Sequence, residues 1–191
     1  MDLLLFGIQG SGKGTQAKKI AEEFGYRIFE AGAALRAIAA SGTPLGNTVQ
    51  GYIDQGHLAP HAVVMQVLEE AIMARPITEK ILFDGIPRDS LQQQDFDRIM
   101  TRSGREFFCI ELRVDPAQAF SRILGRAQKE SRADDADPER IQRRMDLFRE
   151  KTSPVIEQYR KEGKMVTVDG EGSVEEVYAR LHTVLCTGFR V

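Results

Sequence analysis

Cysteine is scarce in this sequence, which has two cysteines, Cys109 and Cys186, among 191 residues. Two are too few for a disulfide framework or a structural zinc site. Apolar runs are short as well, and none approaches the length of a membrane span. A basic leader is also missing, since the first predicted strand begins within three residues of the N-terminus. The sequence therefore predicts a cytoplasmic protein with no structural zinc and no membrane segment.

Net charge is small too. The formal net charge is -2, with 42% hydrophobic and 28% charged residues. These values are typical of one globular domain. They argue against nucleic-acid or membrane partners, so any binding of anions must be local. The three histidines form no constellation with a serine or cysteine nucleophile.

Glycines, by contrast, are concentrated in the segment Gly7-Ile8-Gln9-Gly10-Ser11-Gly12-Lys13-Gly14-Thr15. An apolar run precedes this segment and a helical pattern follows it. A strand, a glycine-rich turn and a helix in this order predict a phosphate-binding loop. Glycines let backbone N–H groups curl around an anion, and the helix N-terminus adds its positive dipole end. The residues predicted to bind nucleotide phosphates are Gly10, Ser11, Gly12, Lys13, Gly14 and Thr15, with the Lys13 ammonium on the outer phosphates.

Short apolar runs alternate with helical patterns along the chain. The candidate strands are residues 3–6, 26–29, 81–83, 107–114 and 165–168. Such alternation predicts an α/β fold, with a parallel sheet and helices on both of its faces. Helices are predicted to begin at Asp115-Pro116, at Asp137-Pro138 and at Ser173. Pro154 predicts a kink or two abutting helices.

The phosphate-binding loop has one irregularity, because Gly14 separates Lys13 from the hydroxyl residue Thr15. This Gly-Lys-Gly-Thr-Gln variant resembles the adenylate kinase family and, more broadly, the nucleoside monophosphate kinases. The resemblance implies a three-layer P-loop NTPase-type fold with a five-stranded parallel sheet in the order 2-3-1-4-5. It also implies three parts: a core (residues 1–29, 61–126 and 138–191), an acceptor-binding insertion (30–60) and a short lid (127–137).

The candidate strand at residues 81–83 is followed by Asp84, as in a Walker B strand. A carboxylate at this edge of the sheet can hold magnesium through water molecules. A strand followed by aspartate also occurs in ordinary turns, so the pattern alone is weak. We predict Asp84 as the magnesium-facing residue.

The next segment resembles the family's Asp-Gly-Phe-Pro-Arg motif, with isoleucine in place of phenylalanine. By that resemblance Arg88 grips phosphates and Gln92 reads the adenine of an AMP acceptor, whereas relatives that accept UMP or CMP tend to carry asparagine there. The alternative for Gln92 is a solvated helix residue. The acceptor-site residues that the motif implies are Gly85, Ile86, Pro87, Arg88 and Gln92.

Two further segments resemble parts of the family's acceptor site. Residues 31–36 resemble its Thr-Gly-Asp-x-Leu-Arg motif, and residues 56–59 resemble its Gly-Lys-Leu-Val motif. The acceptor-site residues implied here are Ala31, Arg36, His57, Leu58 and Ala59. Ala31 and Ala33 depart from the pattern by losing a hydroxyl and a carboxylate. The sequence leaves open whether these losses reduce activity or relax specificity.

A set of arginines resembles the short-lid form of the family. By that resemblance Arg122 flanks the donor adenine, Arg126 holds ATP phosphates, and Arg132 and Arg144 reach the transferring group. The turn at Gly172 would contact the adenine of ATP. The alternative is that these arginines form solvated surface pairs of little energetic value.

The function that follows from the resemblance is reversible phosphoryl transfer from Mg-ATP to a nucleoside monophosphate, most simply AMP. The catalytic residues would be Lys13, Arg88, Arg126, Arg132 and Arg144. The expected partners are ATP and AMP with Mg2+ as cofactor, and the expected oligomeric state is a monomer. Two alternatives stay open: a kinase for another small acceptor such as UMP or CMP, and a nucleotide-binding regulator with weakened catalysis.

Overall fold

A computed structural model describes residues 1–130 and 137–188, with the side chains of residues 126–130 left out. Its centre is a parallel sheet of five strands: β1 Asp2–Phe6, β2 Tyr26–Glu30, β3 Lys80–Asp84, β4 Phe107–Arg113 and β5 Met165–Asp169. The strands lie in the order β2-β3-β1-β4-β5, and every neighbouring pair is parallel. The predicted strand order is therefore confirmed.

The helices surround this sheet. Their bounds are α1 Lys13–Phe24, α2 Ala31–Ala39, α3 Pro44–Asp54, α4 His61–Met73, α5 Ser90–Arg102, α6 Pro116–Glu130, α7 Pro138–Leu147, α8 Ser153–Lys161 and α9 Val174–Thr187. Among residues 1–130 and 137–188, no helix is long and apolar enough to cross a membrane.

Alternate side chains of β1 pack on opposite faces of the sheet. Leu4 belongs to a core cluster with residues of α4, α5 and α8, such as Phe96 and Tyr159. Leu3 belongs to a second cluster with residues of α1 and α9, such as Ile20 and Leu181. The strands of a parallel sheet need this cover on both faces, because successive side chains point in opposite directions. The prediction of helices on both faces is confirmed.

The predicted helix starts carry the expected caps. The Asp115 carboxylate accepts from the backbone N–H of Ala117 at 2.9 Å, and Asp137 accepts from the N–H of Glu139 at 2.9 Å. Ser173 forms a capping box with Glu176. Because a cap satisfies N–H groups that have no partner within the helix, it fixes where the helix begins.

The helical segment around Pro154 is divided as predicted. A π-helical turn, Phe148–Thr152, joins α7 to α8, and the proline lies in the first turn of α8. The Thr152 hydroxyl in this turn donates to the Arg88 carbonyl at 2.8 Å. The junction thereby contacts the loop that follows β3.

The boundaries of the insertion and of the lid stay predictions. Within the predicted insertion, α2 and α3 follow β2 directly and pack against each other. Most of the predicted lid (127–137), including Arg132, lies outside the described residues. The backbone of Arg126 lies in α6, and its side chain also lies outside the described part.

Candidate active site

The phosphate loop joins β1 to α1, and its glycines serve two purposes. Gly10 has a φ of 81°, and a side chain there would collide with the Ala119 carbonyl oxygen and lie 2.9 Å from Ile123 Cγ1. Gly12 has a φ of 92° and, like Gly14, open space where a side chain would stand. The loop is therefore packed tightly against α6 on one side and open on the other.

The open side of the loop is suited to an anion. Helix α1 begins at Lys13, directly after Gly12, and the first N–H groups of a helix have no acceptor within it. The cavity before them has a volume of about 250 Å³. We call it the phosphate cavity. Its lining includes Gly10, Gly12, Lys13, Gly14 and Thr15.

The Lys13 ammonium lies back over the loop. Its Nζ donates to the carbonyl oxygens of Gly7 at 2.6 Å and Ile8 at 3.0 Å. Lys13 lines the phosphate cavity, and its charge partly offsets the rise that burial causes in the pKa of the Asp84 carboxyl. The reach of Lys13 to the outer phosphates stays a prediction.

Asp84 ends β3 and lines the same cavity. Burial raises the pKa of its carboxyl, the cations Lys13 and Arg88 oppose that rise, and Glu30 adds to it. Thr15, which carries a hydroxyl, lines the same cavity. Carboxylate and hydroxyl oxygens are donors that suit Mg2+ and its water molecules, so these residues fit the ion. No cluster of three or more metal-binding side chains occurs in the part of the chain that the structure describes.

A second cavity, of about 80 Å³, opens next to the phosphate cavity and is called the acceptor cavity here. Its walls combine apolar residues from α2, α3 and α7 with three arginines. The lining residues predicted from the sequence are Arg36, His57, Leu58, Ala59, Arg88 and Arg144. The structure thus brings together residues that lie more than 100 positions apart.

Arg88 is fixed by its backbone as well as by its side chain. Its Nε donates to the Gly85 carbonyl at 2.7 Å, and its backbone N–H donates to Gln92 Oε1 at 2.9 Å. Burial lowers the pKa of the guanidinium, and the nearby Arg144 lowers it further. Two crowded cations gain most from an anion placed between them, which is the property a phosphate site needs.

Five of the predicted acceptor-site residues that the structure describes are not part of the lining of the acceptor cavity: Ala31, Gly85, Ile86, Pro87 and Gln92. Gln92 is buried, with 2% of its surface exposed, so its interpretation as a solvated helix residue is wrong. Its side-chain oxygen bonds to Arg88, and it is absent from the lining of the acceptor cavity. Ala31 packs into the core. The roles of Gln92 and Ala31 stay predictions. So do those of Gly85, which lines the phosphate cavity, and of Ile86 and Pro87, which line a small cavity beside Phe148.

A third cavity, of about 380 Å³, lies on the other side of the phosphate loop and is called the donor cavity here. Its lining contains Arg122 and Gly172, both predicted to contact the donor adenine, together with Gly10, Gly12 and Thr15. Arg122 Nη1 lies 3.4 Å from the Gly170 carbonyl, to which it donates. This contact holds the arginine against the turn that follows β5.

Gln9 and Glu30 are two polar residues of the site that sequence reasoning missed. Gln9 lines both the acceptor cavity and the phosphate cavity, and its buried Oε1 has no hydrogen-bond partner among the described residues. Glu30 lines the phosphate cavity, and its Oε1 lies 2.8 Å from Arg36 Nη2. Glu30 could have been found from the strand order, because it ends the strand beside the one that ends in Asp84. Nothing in the local sequence singles out Gln9.

The sequence of the chain matches the family model described as "Adenylate kinase" over residues 5–164. The chain belongs to the adenylate kinase family. It is 36% identical over 184 residues to an adenylate kinase of Thermus thermophilus, with 96% of each chain covered. It is 37% identical over 186 residues to one of Phenylobacterium zucineum, with 97% of each covered. Members of this family are nucleoside monophosphate kinases, so the chain is a phosphotransferase.

Proposed function

We propose that this protein transfers the γ-phosphoryl group of ATP reversibly to AMP and so forms two molecules of ADP. The observation that carries the proposal is the overlap of three cavities. The donor and phosphate cavities share Gly10, Gly12 and Thr15. The acceptor and phosphate cavities share Arg36, Arg88 and Arg144. Two nucleotides bound on either side would therefore direct their phosphates to the same place.

In this proposal ATP lies with its base in the donor cavity. Arg122 and the turn at Gly172 flank the adenine, and the phosphates lie on the N-terminus of α1. The first turn of that helix offers N–H groups and a positive dipole end to the phosphate oxygens. Thr15 and Asp84 are the residues that would hold Mg2+ and its waters, and the ion would neutralise part of the charge on the phosphates.

AMP lies on the other side, with its phosphate on Arg36 and Arg88. The apolar wall at Leu58 and Ala59 covers its base, and Gln92 would contact the base after reorienting or through its amide nitrogen. Gln92 favours AMP over UMP or CMP, for which relatives tend to carry asparagine. The curated relatives above, all named adenylate kinases, point the same way.

The transfer step asks little covalent chemistry of the protein. Charge spreads over the oxygens of the transferring phosphoryl, and the residues around it must offset that charge with donor and acceptor in line. Lys13, Arg88 and Arg144 surround the phosphate cavity, and Arg126 and Arg132 are assigned to the same task from the sequence. Closure of the predicted lid (127–137) would exclude water and prevent wasteful hydrolysis of ATP.

A panel of acceptors tests this function. Formation of ADP is followed from ATP and each of AMP, UMP, CMP and GMP, with and without magnesium, together with binding of ATP by calorimetry. We expect turnover with AMP and magnesium that far exceeds turnover with the other acceptors. Faster turnover with UMP or CMP would assign the protein to another acceptor. Binding of ATP without turnover for any acceptor would identify a regulator.

We further propose a monomeric enzyme of the cytoplasm that serves nucleotide biosynthesis. Cys109 and Cys186 are both unbridged, which agrees with a reducing compartment. Light scattering coupled to gel filtration measures the mass, which we expect to equal that of one 21.4 kDa chain. Cell fractionation tests the location.

A further inference from the structure

Glu30 lies where the acceptor and metal subsites meet. It is the last residue of β2, and its parallel neighbour β3 places Asp84 directly opposite it in the strand register. The carboxyl ends of parallel strands lie at one edge of a sheet, so the two acidic residues stand side by side. Both line the phosphate cavity, and they are the acidic residues among its described lining.

Two adjacent carboxylates are unfavourable in a cavity that must take up nucleotide phosphates. The Glu30 carboxylate raises the pKa of the Asp84 carboxyl, in the direction of like-charge repulsion. A phosphate dianion would be repelled by both groups. A divalent cation with its water shell resolves this conflict, because oxygen ligands of negative charge are what Mg2+ prefers.

In the structure, Glu30 is paired with an arginine. Its Oε1 accepts from Arg36 Nη2 at 2.8 Å, with side chains 41% and 39% exposed. Arg36 lines both the acceptor and phosphate cavities and is the residue assigned above to the AMP phosphate. The acceptor phosphate and Glu30 therefore compete for one guanidinium.

We propose that Glu30 is a positioning residue that couples the two subsites. The acceptor phosphate takes Arg36 from Glu30, and the released carboxylate turns to the waters of the magnesium ion beside Asp84. The proposal rests on the function proposed above, since it needs AMP on Arg36 and magnesium next to Asp84. No group is transferred in this step; one ion pair is exchanged for another.

The coupling is measurable as binding, without turnover. AMP is titrated calorimetrically into the protein alone, and then into the protein saturated with a non-hydrolysable imido analogue of ATP, with and without Mg2+. Wild-type protein should bind AMP at least about fivefold more tightly when the analogue carries magnesium than when it does not. By reciprocity, AMP should tighten the apparent binding of magnesium by the same factor.

Glu30→Gln should raise the affinity for AMP alone and lower the gain in that affinity that magnesium brings. AMP alone should bind about two- to fivefold more tightly, because the Glu30 carboxylate no longer competes with the AMP phosphate for Arg36. The magnesium-dependent gain in AMP affinity should fall to less than twofold, because the carboxylate that links the subsites is missing. A residue of merely structural importance would instead weaken AMP binding in every condition.

Glu79→Gln is the matched control. Glu79 is also half-exposed and paired with arginines, Arg27 and Arg75, but it is not part of the lining of the three cavities among the described residues. It should keep the wild-type coupling. Unchanged coupling in Glu30→Gln, or weaker binding of AMP alone, would overturn the proposal. Failure of the wild-type protein to bind AMP at all would instead overturn the proposed function.

Discussion

In the phosphate loop the backbone sets the geometry, whereas on the acceptor side long charged side chains set it. Gly10 admits no side chain because the loop lies against the Ala119 carbonyl. Arg36, by contrast, is held by an ion pair with Glu30, and Arg88 by bonds to Gly85 and Gln92. A backbone cradle is stiff and changes little with sequence, while a network of side chains can be rebuilt by few substitutions. The departures Ala31 and Ala33 both lie in α2, the helix that carries Arg36.

Lys13→Ala removes the one side-chain charge that the loop itself contributes and should have the largest effect. We expect turnover to fall by about 10³-fold or more, since a positioned cation on this transition state can be worth that much. The melting temperature should stay near that of the wild type, because the ammonium bonds to loop carbonyls rather than to the core. Lys19→Ala, on the same helix but paired with Glu175, should keep its activity. Near-normal turnover of Lys13→Ala would contradict the assignment of this loop as the phosphate-binding loop.

Arg144→Ala tests the side-chain network where the acceptor and phosphate cavities overlap. Turnover should fall by about 10²-fold, with a smaller rise in the Michaelis constant for ATP, because its charge matters most on the transferring group. Steady-state kinetics separate the two effects. Arg149→Ala, an exposed arginine paired with Asp146 on the neighbouring turn, is the control. A change confined to the Michaelis constant would assign Arg144 to ground-state binding.

Gly10→Ala tests the stiffness of the cradle against its neighbour Gly14→Ala. The first change combines a φ of 81° with a collision and should cost about 1–3 kcal/mol of stability, with weaker binding of ATP. The second has open space and lies in α1, where alanine is favoured over glycine, so stability should be unchanged or higher. Chemical denaturation measures both. Equal stability of the two variants would show that the loop tolerates movement.

Gln92→Ala should weaken AMP binding by about 1–3 kcal/mol, because the Arg88 N–H would lose its acceptor in a partly buried place. ATP, on the other side of the loop, should bind as before. Calorimetric titration with each nucleotide distinguishes the two, and the exposed Gln94→Ala serves as the control. An equal loss for both nucleotides would make Gln92 a structural residue only.

Ala33→Asp should have the smallest effect. A carboxylate here restores the acid of the family's pattern and should raise turnover at limiting magnesium by less than about twofold, if Glu30 already serves the metal subsite. At saturating magnesium we expect no gain. A titration of turnover against magnesium gives the result. A drop at every magnesium concentration would mean that the acceptor side has diverged too far for an added charge.

Most of the features that the sequence predicted correctly are local ones. A cap such as Ser173 with Glu176 depends on only four residues, and the strand, glycine-rich turn and helix around Lys13 lie in one short segment. The strand order came from the family resemblance, which carries long-range information that a local pattern lacks. The division of the helical segment near Pro154 is likewise a local effect, because a proline interrupts the helix in which it lies.

The features that the sequence did not predict depend on contacts between distant segments. Glu30 and Asp84 meet through strand pairing across more than 50 residues. Likewise, Arg143 of α7 donates to the Gln55 carbonyl at the end of α3 at 2.7 Å, and Gly56 packs against Arg140. Glu30, Gln55 and Arg143 do not stand out in their own segments. Only the fold brings Glu30 into the phosphate cavity and α7 to the end of α3.

The transfer of a labelled phosphoryl group tests the central claim most directly, because it asks whether the donor and acceptor cavities serve one reaction. The protein is incubated with magnesium, AMP and ATP that is labelled at its γ-phosphorus. The products are then separated, and the position of the label in each product is determined. The account predicts label in the β-phosphate of ADP derived from AMP, with little in inorganic phosphate. Label released as inorganic phosphate at the same rate with and without AMP, or retained in ATP, would contradict it.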